Sequence, residues 1–370
     1  MSYLSEQIIT YIGNKRKILP NIEVALNQTG LKKYHFLDLF SGSGIVSRLA
    51  KSHSASIITT NDLEYYSAIL NKVFLRNNEG NKEEFEDAKE TIDSLTKKFE
   101  LIYGKESVGN WVTSNYAPKD DNNIQKDERC FYTHENAIII DEYLDFIFDT
   151  SGDYMFSSEV CELLLAALIV ECSIHTNTSG VFKGFYKNKK GIGQFGGEGR
   201  HALQRICSKI DPKFPVFCPN VTENHILSMD AAEVVADKSV EYDITYIDPP
   251  YNQHPYGSNY FMLNAIAKNE CPKEVSRVSG IPKNWNRSIY NKKEEGVKTL
   301  LKNIEELRSK YVIISYSDEA FLNIKDMIAE LAKIGLLINL QEINYDVYRG
   351  SRNLKNRNNK LNEYLITIKK

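Results

Sequence analysis

Short apolar blocks, each closed by turn-forming residues, recur along the chain, and their spacing predicts strands interleaved with helices. The first is YHFLDLF, 34–40, which runs into Ser41-Gly42-Ser43-Gly44 and then the helix-like IVSRLAKS. SIITTN follows as a second strand that stops just before Asp62, and LEYYSAILNKVF reads as the next helix. Strand, glycine-rich turn, helix and strand make a parallel βαβ unit. Beyond it the pattern changes. Residues 83–103 read as a charged helix, and 104–133 are polar and irregular. SSEVCELLLAALIVECS, 157–173, has the look of a buried helix opened by a serine cap. VFKGFYKNKKGIGQFGGEG mixes glycine, lysine and aromatics and suggests a hairpin or a loop.

Strand patterns resume with HIL, 225–227, before Met229 and Asp230, and with YDITYI, 242–247, before the turn DPPY. LLKNIEELRSK is helical, YVIISYS at 311–317 is a strand, and DEAFLNIKDMIAELAKIG is a further helix. The last two strands, QEINYDVY and NEYLITIK, pair most simply as an antiparallel hairpin around a basic loop. The expected fold is therefore α/β: a doubly wound, mostly parallel, Rossmann-like sheet of seven strands with an antiparallel edge strand. About 130 residues lie between the second and third strands, too many for a loop, so they are expected to form a subdomain. On this reading residues 1–80 and 215–370 build one domain and 81–214 an inserted one.

Composition narrows the class. The 370 residues include no apolar run long enough to span a bilayer, and the first twenty lack the apolar core and cleavage site of a signal peptide. Six cysteines show no CxxC pairing and no histidines at metal-ligand spacing, so reduced thiols, no metal site and a cytoplasmic location are expected. The net charge of −3 argues weakly against nucleic acid, but its distribution argues the other way. Arg349, Arg352, Lys355, Arg357 and Lys360 cluster without an acid among them. Lys183, Lys187, Lys189, Lys190 and Arg200 face only Glu198, and Phe182, Phe185 and Tyr186 interleave with them. Basic residues mixed with aromatics suit phosphate contact and stacking.

The first turn carries candidate chemistry. Gly42 and Gly44 permit a tight turn where backbone approaches a ligand, and Asp62, about twenty residues on, is spaced to accept hydrogen bonds from ribose hydroxyls. An adenosine-containing ligand fits. The turn is neither GxGxxG nor GxxxxGK[ST], so no phosphate cradle is evident. Asp38, just ahead of the glycines, would repel phosphate but hold an ammonium group. S-adenosylmethionine has an ammonium and no phosphate, which favours it over a dinucleotide.

Asp248-Pro249-Pro250-Tyr251 leaves the carboxyl end of a strand, where open α/β sheets bind ligands. The prolines fix the backbone and remove two N–H donors, leaving carbonyls exposed. A carboxylate and a fixed carbonyl can accept both hydrogens of an amino group. That frees a lone pair otherwise delocalised into an aromatic ring. Tyr251 can stack on the base, an interaction worth roughly 1–3 kcal/mol. A base in a duplex must first be flipped out, at a cost of a few kcal/mol.

Together these residues resemble the amino-group DNA methyltransferases, and most closely the Dam-type, alpha-ordered N6-adenine enzymes of bacterial restriction–modification systems. The resemblance covers most of the chain apart from the insert. It implies methyl transfer from S-adenosylmethionine to adenine N6 in double-stranded DNA, with the insert recognising the target. Tyr11-Ile12-Gly13-Asn14-Lys15 resembles the N-terminal motif, in which Tyr11 and Lys15 take the aromatic and basic positions at the methionine end of the cofactor. The resemblance gives Phe40 and the glycine turn to the cofactor loop, Asp62 to the ribose, Asp230 to the cofactor's adenine, and Asp248 to both catalysis and cofactor. Tyr256 and Tyr260 are candidates to line the base pocket. Lys183, Tyr186, Lys187, Arg287 and Arg352 are candidate DNA contacts, with Trp285 and Lys292 on the same loop as Arg287. A cognate restriction endonuclease is a possible partner, and a monomer would suffice. Competing readings are methyl transfer to cytosine N4 or to RNA adenine and, more distantly, a DNA-binding regulator without catalysis. A protein glutamine amide is less compatible, since that family resembles NPPY.

Overall fold

The computed structural model describes residues 3–77, 82–102, 109–148, 158–346 and 360–370. It divides into two compact units, one of residues 1–13, 78–217 and 257–285, the other of 14–77, 218–256 and 286–370. Residues 1–13 and 257–285, which the sequence pattern places with the sheet, thus cluster with the inserted segment.

The second unit holds all seven strands: β1 (Tyr34–Asp38), β2 (Ala55–Asn61), β3 (Glu223–Leu227), β4 (Tyr242–Ile247), β5 (Ser309–Ser317), β6 (Leu336–Asp346) and β7 (Lys360–Lys369). Their order is β3-β2-β1-β4-β5-β7-β6. The first five are parallel, and β7 runs against both of its neighbours. The antiparallel strand therefore lies one place in from the edge. β6, the edge strand, again runs with the majority. The sheet is covered on both sides, as a parallel sheet must be. Leu37, Leu39, Ile247, Val312, Ile314 and Ile366 pack against the helices Ala231–Ala236, Lys293–Glu306 and Ile324–Ile334. The other side carries Leu19–Gln28, Ile45–His53 and Tyr65–Phe74, which bury Ile22, Leu26, Leu49, Ile69 and Leu70. Chain order runs β1-β2-β3 outward in one direction and β4-β5 in the other. The reversal between β1 and β4 is the crevice where doubly wound sheets bind ligands.

The first unit is helical among its described residues. The helix Ser158–Ile174 is apolar nearly all round, so it is buried, with Lys82–Ile102, His134–Ile147 and Phe261–Lys268 packed on it. His134–Ile147 is not among the helices expected from the sequence. Thr133 caps it by accepting from Asn136 N. The stretch expected to be irregular holds a short helix, Trp111–Tyr116, whose leading N–H groups at Val112 and Thr113 donate to Asp141. Between Lys187 and Gly193 the lysine-rich segment makes one antiparallel bridge. Phe131, Phe182 and Phe261 form an aromatic core, so Phe182 packs inward while Lys183 beside it is exposed. All six cysteines are free: Cys130, Cys172 and Cys218 are buried, Cys161 is half-buried, and Cys207 and Cys271 are exposed. Among the described residues no helix is long and apolar enough to cross a membrane.

Candidate active site

β1 and β4 are hydrogen-bonded neighbours, with Asp38 opposite Tyr246 and Leu39 N donating to Tyr246 O at 3.1 Å. The glycine turn and the DPPY turn therefore leave adjacent strand ends at the point where the strand order reverses. In the first turn Gly42 and Gly44 take positive φ, 50° and 74°, and Gly44 N closes the turn on Ser41 O at 2.8 Å. A Cβ at Gly44 would stand 2.6 Å from Asn71 Oδ1, so only glycine fits there. Asp62 braces the turn: its Oδ2 accepts from Gly42 N at 2.7 Å and its Oδ1 from Glu64 N at 2.9 Å. Burial lifts its carboxyl to about 6 despite those backbone donors.

Asp38 is 1% exposed. Its Oδ2 accepts from Ser47 Oγ at 2.6 Å, while its Oδ1 is buried without a hydrogen-bond partner. Burial raises it to about 7; the Ser47 donor opposes that rise, and the nearby charges of Asp248 and Asp62 add to it. A buried acid short of one donor is an acceptor prepared for a cationic group.

Asp248 directly follows β4. Lys15, at the start of the 3-10 turn Lys15–Ile18, places Nζ 3.1 Å from Asp248 Oδ1 and 2.7 Å from Glu363 Oε1 on β7. Ser315 Oγ on β5 donates to the same Glu363 oxygen. Burial alone would pull the Lys15 ammonium down, but the charges of Asp248, Tyr251 and Glu363 hold it well above its usual value. Asp248 is lifted to about 7 by burial, with Lys15 working against the rise and Glu363 with it. The loop after it is clamped. Asn291 Nδ2 donates to Asn252 O at 2.7 Å and Pro250 O at 3.3 Å, Tyr251 N to Pro249 O at 2.8 Å, and Phe321 N to Tyr251 O at 3.2 Å. The Tyr251 ring is half-buried, 5.3 Å from that of Tyr316. Burial also raises the phenols of Tyr251 and Tyr256, and the charges of Asp248, Lys15 and Asp62 reach Tyr256.

Elsewhere in this unit, Phe40 meets Tyr290 edge-on at 5.0 Å. Asp230 caps the helix Ala231–Ala236 by accepting from Ala232 N at 2.8 Å. Asn286, next to the exposed Arg287, donates to Leu63 O and Glu64 Oε2 and ties its loop to the Asp62 turn. The sheet unit thus carries Lys15, Asp38, Phe40, Gly42, Gly44, Asp62, Asp230, Asp248 to Tyr251, Tyr256 and Arg287. The helical unit carries Tyr11, Lys183, Tyr186, Lys187 and Tyr260. Tyr11 stacks on Tyr260 with ring centroids 4.8 Å apart, and Ile12 N donates to the Tyr260 hydroxyl at 2.7 Å. Tyr260 is 0% exposed, so direct contact with DNA does not fit its placement; it packs the N-terminal segment instead. Lys187 Nζ lies 4.8 Å over the Phe185 ring, and Tyr186 is half-buried near His201. Arg352 lies outside the described residues.

Two residues of consequence were not singled out from the sequence. The signal for Glu363 is an acid at the start of the largely apolar run EYLITI. Asn291 offers no signal, being one of many loop asparagines. No group of His, Cys, Asp and Glu among the described residues could hold a metal ion.

A strand-end acid followed by two prolines, beside a glycine turn and a buried second acid, defines an α/β methyltransferase. A family model for D12 class N6 adenine-specific DNA methyltransferases matches residues 11–154 and 181–330, and the chain belongs to that family. Of the acceptors considered from the sequence, adenine N6 in DNA therefore stands, and the protein is a site-specific DNA methyltransferase. The type II methyltransferase M.CviAII of Paramecium bursaria Chlorella virus 1 is 30% identical over 88% of this chain and 89% of its own length. M.NlaIII of Neisseria lactamica is 27% identical over 98% and 99%. M.FokI of Planomicrobium okeanokoites is 29% identical over 97% of this chain, which spans about half (52%) of that longer protein.

Proposed function

We propose that the methyl donor is S-adenosylmethionine, that the adenine is turned out of duplex DNA, and that Asp248 with its proline-fixed loop activates the amino group. The observation that carries this reading is the pair of acids at neighbouring strand ends, the buried Asp38 with an unsatisfied oxygen and the partly exposed Asp248 held by Lys15. Asp38 suits the donor's ammonium, and the glycine turn braced by Asp62 suits its adenosine half. When bound, the donor supplies a methyl group on a sulfonium, already electrophilic. The protein's task is positioning and electrostatics.

Asp248 and a carbonyl of the DPPY turn accept the two N6 hydrogens, which localises the nitrogen lone pair for attack. As N6 gains the methyl it must shed one proton, and a carboxylate titrating near neutrality is matched to take it. Tyr251 stacks on the flipped base with the part of its ring that Tyr316 leaves open. Lys15, bound to two carboxylates, is assigned to Asp248 rather than to the donor. Tyr256, within reach of the same charges, lines the base pocket. Phe40 and Asp230 flank the donor's adenine side. The segment 81–214 is assigned to target recognition. Lys183, Tyr186, Lys187, Arg287 and Arg352 are assigned to phosphate and base contacts. We extend the reading to a cytoplasmic enzyme acting as a monomer, alongside a cognate restriction endonuclease.

The test is incubation with methyl-labelled S-adenosylmethionine and unmethylated genomic DNA, followed by digestion to nucleosides and mapping of the labelled sites. Label in N6-methyladenine at one recurring sequence is expected. Label in cytosine, in RNA or nowhere would overturn the reading.

A further inference from the structure

Lys15 does not meet Asp248 alone. Its ammonium sits between that acid and Glu363, a carboxylate 1% exposed on the strand inserted between β5 and β6. The distances are 3.1 Å to Asp248 and 2.7 Å to Glu363, so the shorter contact is to the residue farther from the DPPY turn. With both acids ionised, the buried Glu363 and the partly exposed Asp248 on one ammonium carry a net charge of −1, which is costly unless hydrogen-bonded. Ser315 supplies a donor to Glu363 on the far side. Charge and hydrogen bonds thus run Ser315, Glu363, Lys15, Asp248 from the sheet interior to the strand end.

We infer that Glu363 is a positioning residue for methyl transfer: from β7 it holds the Lys15 ammonium in place and sets the charge that Asp248 presents to the adenine amino group. The inference rests on the proposal that Asp248 accepts the amino hydrogens. A lysine has a long, freely rotating stem, and a single exposed partner fixes it poorly. A second, fully buried carboxylate on an adjacent element locks the ammonium at the strand end. Glu363 also offsets part of the lysine's charge, which keeps Asp248 basic enough to take a proton near neutrality. The other titratable groups that the charge of Asp248 reaches are Asp38 on β1, Tyr246 on β4, and Tyr251 and Tyr256 beyond it. Neither Tyr246, Tyr251 nor Tyr256 ionises in the range considered, since burial raises all three.

The experiment is the single-turnover rate of methyl transfer to DNA as a function of pH, which removes product release from the measurement, with the donor kept saturating throughout so that the Asp38 titration does not enter. Wild type should lose rate as pH falls through the Asp248 titration. Glu363→Gln keeps the shape and removes the charge, so Lys15 acts undiluted on Asp248. Its acid limb should move to lower pH, and its plateau should fall on the order of 10- to 100-fold as the ammonium is less well placed. Glu363→Asp, which keeps the charge, should return the limb toward the wild-type position. Ser315→Ala strips a donor from the carboxylate without removing its charge, and should move the limb the other way. This milder change decides the matter if Glu363→Gln does not fold. Limbs that stay at the wild-type position, with or without loss of rate, would overturn the inference and leave Glu363 a structural residue. Full turnover in Asp248→Ala would instead refute the role of Asp248, and this inference would fall with it.

Discussion

Replacing Lys15 by methionine keeps the stem and removes the ammonium that two acids share. The Lys15 side chain is 7% exposed, that of Glu363 2% and that of Asp248 21%, so none of the three is well screened by water. Removing one partner of a buried pair costs about 3–5 kcal/mol, because the remaining charge is uncompensated. The loss must depend on pH. Asp248 is already raised to about 7 with Lys15 present and rises further without it. A carboxyl whose folded pKa lies above its unfolded value, near 4, destabilises the fold once it must ionise, so the penalty grows as pH rises. At about pH 8.5 the variant should melt on the order of 10 °C below wild type, taking about 2–4 °C per kcal/mol for a domain of this size. At about pH 5.5 protonation of Asp248 should close part of that gap. Thermal unfolding followed by circular dichroism at the two pH values reads this directly. A variant that melts with wild type at both, or that loses more at low pH, would refute the account of the Lys15 pair.

Affinity for the donor should fall as pH drops through about 7, by up to tenfold per unit, because Asp38 must be ionised to hold an ammonium. Calorimetric titration of S-adenosylmethionine onto wild type and Asp38→Asn checks this; the variant should bind roughly 10- to 100-fold more weakly and lose the pH dependence. Gly44→Ala should cost about 1–2 kcal/mol from its left-handed backbone alone, and more from the contact with Asn71 Oδ1, read as a lower melting temperature. Asn291→Ala unclamps the Pro250 and Asn252 carbonyls. It should lower kcat on the order of tenfold while leaving donor affinity unchanged in the same titration.

The parts of the site readable in the sequence are those built from contiguous residues. FLDLFSGSG and YIDPPY each hold a strand, its end and a turn in a few positions, and local turn chemistry requires what is written there. Glu363 is different: it lies 348 residues from Lys15, and their contact exists only because β7 slots between β5 and β6. The pairing of the last two strands follows from their pattern, but which of them borders β5 does not, since both alternate and either connection is long enough. Tyr260 shows a second limit. An aromatic with a polar tip suits a base pocket or a buried hydrogen bond equally well, and here the Tyr260 hydroxyl accepts from Ile12 N. The helix His134–Ile147 carries acids among its apolar positions, Asp141 among them, and that acid is buried because it serves two neighbouring N–H groups.

The central claim is that Asp248, at the end of β4, activates the adenine amino group. Asp248→Ala tests it most directly, with methyl transfer to DNA measured beside S-adenosylmethionine binding and thermal unfolding. The account predicts a folded protein that still binds the donor and transfers methyl groups at least 10²–10³-fold more slowly, the scale of losing one aligned electrostatic group. A folded variant that keeps substantial turnover would contradict it.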